Sequence, residues 1–441
     1  MVRRRIAYGK RVIFFLPIVQ VGVITFFFVR VVAMTELTKQ KKPVSVWWFA
    51  FGYFAVYIPY TILTKIVTDG LLAKDDAALS EVCKAATDVA TCPIRVNSFE
   101  WLPPTIMASV LSMLIFISCM GWWKYATQTK IKFNGHTLPR PRIWTLFSGI
   151  CTGFVVVTTT LAYTIDGVNI IFAMLLMRGG MLVMSPIVDT IFKRHVRWFS
   201  WCALGLSILA LIITNFGPNI FEGATLGEKA LMNTMLAIDL AVYLLAYFFR
   251  LSFMSKLAKS NNADDTKKFF VEEQMVGTPS ILIILFFAGL IGHIVSPDSS
   301  LFNGIWAGFT TFWQRPGIII GFAIATGIFS QFNGVFGSLI LLDPSENAFA
   351  VAVNRCSSII AGTIASLFVA LMYEVNLSGK PYMPSVYTWI ATGLVVGALL
   401  FLALPKMFAT LKKQKAAAAE AAAAVKKNDE VALETLDEKE S

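Results

Sequence analysis

Asp166-Gly167-Val168-Asn169-Ile170-Ile171-Phe172-Ala173-Met174-Leu175-Leu176-Met177-Arg178 and Asp343-Pro344-Ser345-Glu346-Asn347-Ala348-Phe349-Ala350-Val351-Ala352-Val353-Asn354-Arg355 share the pattern Asp-x5-Phe-Ala-x4-Arg. Each copy leads into a long apolar stretch that carries an arginine. An arginine at membrane depth costs from about 3 to more than 10 kcal/mol, so it is retained where it faces a partner or a watery cavity. Two such copies predict a duplicated membrane fold that presents two arginines to something negative.

The surrounding composition agrees: 56% of the 441 residues are apolar and only 15% are charged, against roughly 25% charged in a soluble domain. Apolar runs long enough to span a bilayer fall at 12–34, 46–67, 103–123, 144–165, 169–191, 197–216, 229–251, 273–295, 317–341, 346–372 and 385–405. The first is too long for a signal-peptide core and no small-residue cleavage site follows it, so it stays in the mature chain. Its flanks are both basic (Arg3, Arg4, Arg5, Lys10 and Arg11 before; Lys39, Lys41 and Lys42 after). It either spans despite them or lies tilted in the interface with Arg30 snorkelling to headgroups.

The net charge of +11 points to the positive-inside rule and not to nucleic acid, because the basic residues sit in short loops. Lys124, Lys130, Lys132, Arg140 and Arg142, then Lys193, Arg194 and Arg197, then Lys256, Lys259, Lys267 and Lys268 mark three cytoplasmic loops. Lys406, Lys412, Lys413 and Lys415 put the C-terminus on the same side. The long loop at 68–100, with Asp69, Asp75, Asp76, Glu81, Asp88 and Glu100, faces the periplasm, a lumen or the exterior; a bacterial inner membrane and a eukaryotic endomembrane or plasma membrane are not distinguished. Cys83 and Cys92 lie in it and form either a disulfide or two free thiols, while Cys119, Cys151, Cys202 and Cys356 sit in apolar runs.

The chain divides into 1–45 (basic N-terminus and extra hydrophobic helix), 46–216 and 217–405 (five helices each), and 406–441 (a charged, Ala-rich tail). An odd number of helices per unit sets the two units in opposite orientations. The motif precedes the fourth helix of each unit, and Ala55-Val56-Tyr57 before Lys65 echoes Ala241-Val242-Tyr243 before Arg250 in the first helices. The fold expected is therefore an all-α polytopic membrane protein, a ten-helix bundle of two inverted five-helix repeats plus the extra N-terminal helix. Between 295 and 317, Trp306, Phe309, Phe312 and Trp313 recur at helical spacing and read as an interfacial helix on the non-cytoplasmic face.

Arg178 and Arg355 each lie about nine residues into their helices, which at about 1.5 Å per residue brings both near the midplane from opposite sides. Their planar forks of donors suit phosphate or carboxylate and cannot shed their charge. Asp239, placed at the centre of the 229–251 run, either titrates, takes up a proton during a cycle or pairs with an arginine. Asp166 and Asp343 stand too far along the helix to pair with the arginine of their own motif and mark the turns. Gln331 and Asn333, beside Gly327, Gly334 and Gly337, serve either close packing or substrate contact, as does Asn354. Tyr57 and Tyr243 line the cavity or pack; Lys65 and Arg250 bind substrate or snorkel at helix ends. His136, His195 and His293 are scattered near loops and no phosphate-binding Gly-rich loop is present, so no hydrolytic, metal or cofactor site is expected.

Met177-Arg178-Gly179-Gly180, Ser185-Pro186, Lys193-Arg194, Trp201 and Gly205, followed in the second half by Val353-Asn354-Arg355, resemble the drug/metabolite transporter superfamily, with its nucleotide-sugar and phosphate-ester transporters. Val56-Tyr57 through Thr64-Lys65 and Trp101-Leu102-Pro103-Pro104-Thr105 resemble the first two helices of that family. The resemblance implies two inverted five-helix repeats around a central cavity, with an Asn-basic pair, here Asn354-Arg355, holding the ligand.

The expectation is a secondary transporter, an exchanger of an organic anion such as a phosphorylated metabolite or nucleotide sugar, and not an enzyme. Substrate contacts would come from Arg178, Arg355, Asn354, Gln331, Asn333, Tyr57, Tyr243 and Lys65, with Asp239 in coupling or an ion pair. The partners expected are that anion, membrane lipids and a second copy of the chain. The alternatives are a general exporter of neutral or cationic solutes, with internally paired arginines, and a non-transporting scaffold or lipid-interacting protein.

Overall fold

The structure, a computed structural model, describes residues 45–403 apart from 75, 127–128, 134–135, 163–169, 222–233, 259–262, 297, 374–382 and 385. The expected helix at 12–34, Asp166 and the C-terminal tail lie outside the described residues. Among the described residues twelve α-helices follow one another: α1 Val46–Thr68, α2 Ala77–Ala85, α3 Ser98–Cys119, α4 Ile143–Ala162, α5 Ile170–Ile191, α6 Trp198–Phe221, α7 Thr234–Leu257, α8 Ala263–Val295, α9 Ser300–Phe309, α10 Gly317–Leu341, α11 Asn347–Met372 and α12 Val386–Ala403. Each apolar run from residue 46 onward falls on one of them. Seven, among the described residues, are long and apolar enough to cross a membrane, which makes the chain a multi-pass, all-α membrane protein. Leu111, Phe154, Ile187, Leu245, Ile291 and Leu371 are exposed on their outer faces, as lipid-facing positions should be.

Two helices start earlier than their apolar runs. Asn97 accepts a hydrogen bond from the Phe99 N–H at 3.0 Å and caps α3, so Pro103 and Pro104 sit inside the helix and not at its start. A proline supplies no N–H, which frees the Glu100 carbonyl of its helical donor. That carbonyl faces Gly308 of α9, where an added Cβ would lie 2.6 Å from it. The other early start is α8, which opens with Asp264 and Asp265 in its first turn, where carboxylates favour the helix dipole.

One feature is not helical. Thr129–Phe133 (β1) and His136–Arg140 (β2) form an antiparallel hairpin with Phe133 opposite His136, and Asn134-Gly135, which joins them, is the dipeptide most suited to a two-residue connection.

Packing crosses the chain's midpoint. α1 packs on α10 and α11, and α7 packs on α4 and α5; α3 lies against α10 and α8, and α8 against α4 and α3; α5 meets α11. Close approach is made by small residues: a Cβ on Gly327 would stand 2.4 Å from the Thr105 carbonyl oxygen, and one on Gly180 2.6 Å from Leu244. Ser109 Oγ donates to the Gly327 carbonyl at 2.7 Å, so α3 and α10 touch backbone to side chain as membrane helices do.

Polar contacts collect at the two ends of the bundle. At one end, Asp189 accepts from the N–H groups of Asn347 and Ala348, each at 2.8 Å, and holds the start of α11. Asn347 Nδ2 reaches Ser255 Oγ at 2.8 Å, Arg194 donates to the Pro344, Ser345 and Ser255 carbonyls, and Arg197 pairs with Glu346 at 2.8 Å. Asp343 accepts from the Ser345 N–H at 3.0 Å, which makes it a turn residue as expected. At the opposite end, Cys83 and Cys92 are joined in a disulfide. Arg315 is buried there, bridging Glu100 with both contacts at 2.7 Å and donating to the carbonyls of Thr87, Cys92, Pro93 and Arg95. The aromatic segment predicted between 295 and 317 is α9 with a 3-10 turn at Thr311–Gln314, and its Phe312 is buried against Trp101.

Candidate functional site

Arg178 is the ninth residue of α5 and Arg355 the ninth of α11, and those helices are in contact. The guanidinium of Arg355 reaches Met181 Sδ, one turn beyond Arg178 on α5, and donates to the Tyr247 hydroxyl at 3.3 Å. Its Cζ stands 5.9 Å from the centre of the Tyr247 ring. Arg178 and Arg355 both act electrostatically on Tyr53 of α1 and Tyr243 of α7. Tyrosines four residues apart share a helix face, and two such pairs converge here: Tyr53 with Tyr57, ring centres 5.7 Å apart, and Tyr243 with Tyr247, 4.9 Å apart. The site is thus built from α5 and α11, which carry the arginines, and α1 and α7, which carry the tyrosine pairs.

Its charge is uncompensated. Four other arginines meet carboxylates: Arg142 with Glu272 at 3.2 Å, Arg197 with Glu346 at 2.8 Å, Arg250 with Glu273 at 2.9 Å and Arg315 with Glu100 at 2.7 Å. Among the described residues Arg355 hydrogen-bonds a thioether and a phenol, and its Nε has no hydrogen-bond partner. Among the described residues no carboxylate lies within ion-pair distance of Arg355 or Arg178. Both guanidinium groups are half-buried, and a charge partly withdrawn from water without a carboxylate beside it favours a counter-charge.

Asp239 does not supply one. It is the sixth residue of α7 and not at the helix centre, it is 3% exposed, and both carboxylate oxygens lack a hydrogen-bond partner. Of the readings open for Asp239, a pair with an arginine is not formed among the described residues.

Of the other residues singled out, Tyr57 and Tyr243 belong to the tyrosine pairs. Asn354 is buried on the neighbouring face of α11, where a Cβ on Gly337 would lie 3.3 Å from its Nδ2 and 3.2 Å from the Tyr53 ring. Gln331 is buried and donates to Gln274 Oε1 at 3.2 Å, tying α10 to α8. The Oδ1 of Asn333 is buried without a partner. Lys65 is not brought to the site: it is exposed near the end of α1, 3.6 Å from Asp69. Arg250 does not snorkel; it is buried, bonds Glu273 through Nε and Nη2, and reaches Ser338 Oγ at 3.2 Å. Glu273 also accepts from Ser148 at 2.7 Å, so α4, α7, α8 and α10 meet at this one pair.

Tyr53, Tyr247, Glu273, Glu100 and Arg315 were not anticipated. The Tyr-x3-Tyr spacing, present in both α1 and α7, was the available signal for the first two. No comparable local signal joins Arg315, in the bend before α10, to Glu100 of α3, far apart in the chain.

No protein-family model matches this chain, and no curated protein matches it. One solved structure, described only as "Crystal structure of protein", overlies 81% of this chain and 97% of its own length with a TM-score of 0.42 at 10% sequence identity.

Proposed function

We propose that this chain is a secondary transporter of the drug/metabolite transporter type, an exchanger of an organic anion such as a phosphorylated metabolite or nucleotide sugar. The observation that carries the reading is the pair of arginines with no carboxylate in ion-pair distance among the described residues, in a protein where both fully buried arginines, Arg250 and Arg315, have one. A ligand phosphate or carboxylate would complete the site with charge-assisted, bidentate hydrogen bonds. Exchange follows from the same charge: an empty carrier would have to reorient with two uncompensated guanidinium groups in a low-dielectric interior, and a bound anion removes that cost.

Alternating access would come from rocking 46–216 against 217–405 as inverted repeats. The packing supports this, because the first helix of each unit lies on the third and fourth helices of the other, and the fourth helices meet each other. The end that holds Asp189, Arg194, Arg197 and Glu346 would face the cytoplasm, and the end with the disulfide an oxidising compartment.

A thermal-shift screen of anionic metabolites against wild type and Arg355→Ala tests the proposal. Stabilisation of wild type alone supports it; equal stabilisation of both proteins by every active compound removes Arg355 from the site.

A further inference from the structure

Asp239, Tyr243 and Tyr247 follow one another at intervals of four on α7, and all three are buried. They form one stripe along the helix, from the aspartate to the hydroxyl that Arg355 touches. At about 1.5 Å per residue the carboxyl stands roughly 12 Å along the axis from Tyr247. It belongs to the same wall of the site without touching the arginines.

Its two oxygens are buried and accept nothing. An ionised carboxylate in that condition would forfeit its hydration with no return, whereas a neutral carboxylic acid escapes most of that cost. Among the described residues, the charged groups that act on the tyrosines of the stripe are Arg178 from α5, Arg355 from α11 and, at the Tyr247 end, Arg250, which Glu273 of α8 pairs and beside which Cys151 of α4 lies. None of these arginines is close enough to hold the carboxylate charged by an ion pair.

We infer that Asp239 is a proton-binding site coupled to anion occupancy, so that a proton is carried with the anion. The proton comes from solvent and rests on one carboxyl oxygen; no other bond changes. Protonation removes a negative charge from the wall of the arginine site and strengthens anion binding, and by reciprocity a bound anion favours the proton. This rests on the anion-transport reading, and the experiment separates the two.

Sulfate is a suitable probe, because it stays doubly charged across the working pH range. Calorimetric titration of purified full-length protein with sulfate should show wild-type affinity falling as pH rises. At about 12 Å and an effective dielectric of 20, one carboxylate charge changes the affinity by roughly tenfold per ligand charge. Asp239→Asn should bind sulfate tightly at every pH, and Asp239→Glu should keep the dependence. The same pH profile in wild type and Asp239→Asn overturns the coupling. Infrared spectra of the same samples give an independent reading: wild type should carry a protonated-carboxyl band, lost at high pH and missing in Asp239→Asn. A band with no sulfate binding to any variant sinks the anion site and leaves the proton site standing; sulfate binding with no such band sinks the proton site alone.

Discussion

Tyr247 on α7 offers Arg355 on α11 a neutral hydroxyl at 3.3 Å, in the position that a carboxylate fills for Arg250, Arg315 and Arg197. A phenol satisfies a donor without cancelling a charge. Removing the hydroxyl and removing the guanidinium should therefore have opposite consequences. Tyr247→Phe leaves Arg355 free for a ligand and should bind an anionic substrate as well as wild type or better. Arg355→Ala forfeits charge-assisted bonds worth about 1.5–3 kcal/mol each, a loss of one to two orders of magnitude or more in affinity, measurable by titration calorimetry.

The Arg250–Glu273 pair should answer differently to single and double substitution. Arg250→Met strands a buried carboxylate and should cost about 3–5 kcal/mol, whereas Arg250→Met with Glu273→Leu should recover most of that loss. Thermal unfolding in detergent of the two single variants and the double variant completes the cycle. Additive effects would mean that the contact between α7 and α8 contributes nothing of its own.

The disulfide and Arg315 act on the same loop. Cys83 and Cys92 are buried, and Arg315 donates to the Cys92 carbonyl at 3.1 Å. Mass spectrometry should show a gain of two hydrogens on reduction, and Cys83→Ser should destabilise the protein by about 2–4 kcal/mol. Arg315→Ala should expose the loop at 83–96 to protease at that end of the bundle while leaving the opposite end protected.

Acid should loosen the end that holds α11. Burial alone would raise the Glu346 carboxyl, but hydrogen bonds from Arg197 at 2.8 Å and Ser200 at 2.7 Å outweigh it and hold the group below its ordinary value. The folded value lies below the unfolded one, so the stabilisation is fully present above the unfolded glutamate value of about 4.3. It is lost as pH falls through the lowered folded value. Melting temperature against pH should fall less steeply at the acid end in Glu346→Gln than in wild type; parallel curves would exclude this carboxyl as a source of the acid sensitivity.

The spans were legible because lipid leaves little choice: about 20 apolar residues are needed for each crossing, and such runs stand out. Their edges were not, since Asn97 extends α3 ahead of two prolines and a charged turn extends α8 beyond the apolar run. The place of Arg178 and Arg355, nine residues into their helices, could be read from the motif, because a charge inside an apolar run is conspicuous. Which arginines were neutralised could not. Arg250 with Glu273, and Arg315 in the bend before α10 with Glu100 of α3, are matched only by the fold, and the short strands at Thr129–Phe133 and His136–Arg140 are passed over by a search for long apolar runs.

The crossed packing of α1 on α10 and α11, and of α7 on α4 and α5, has a bearing on biogenesis. As the chain enters the membrane from its N-terminal end, α1 is made long before either helix that covers its inner face. The helices made with it must wait in the bilayer without those partners until α10 and α11 arrive. The two halves then close on each other late and together, so a nascent chain stalled before α10 should be the species that membrane proteases and insertion chaperones meet.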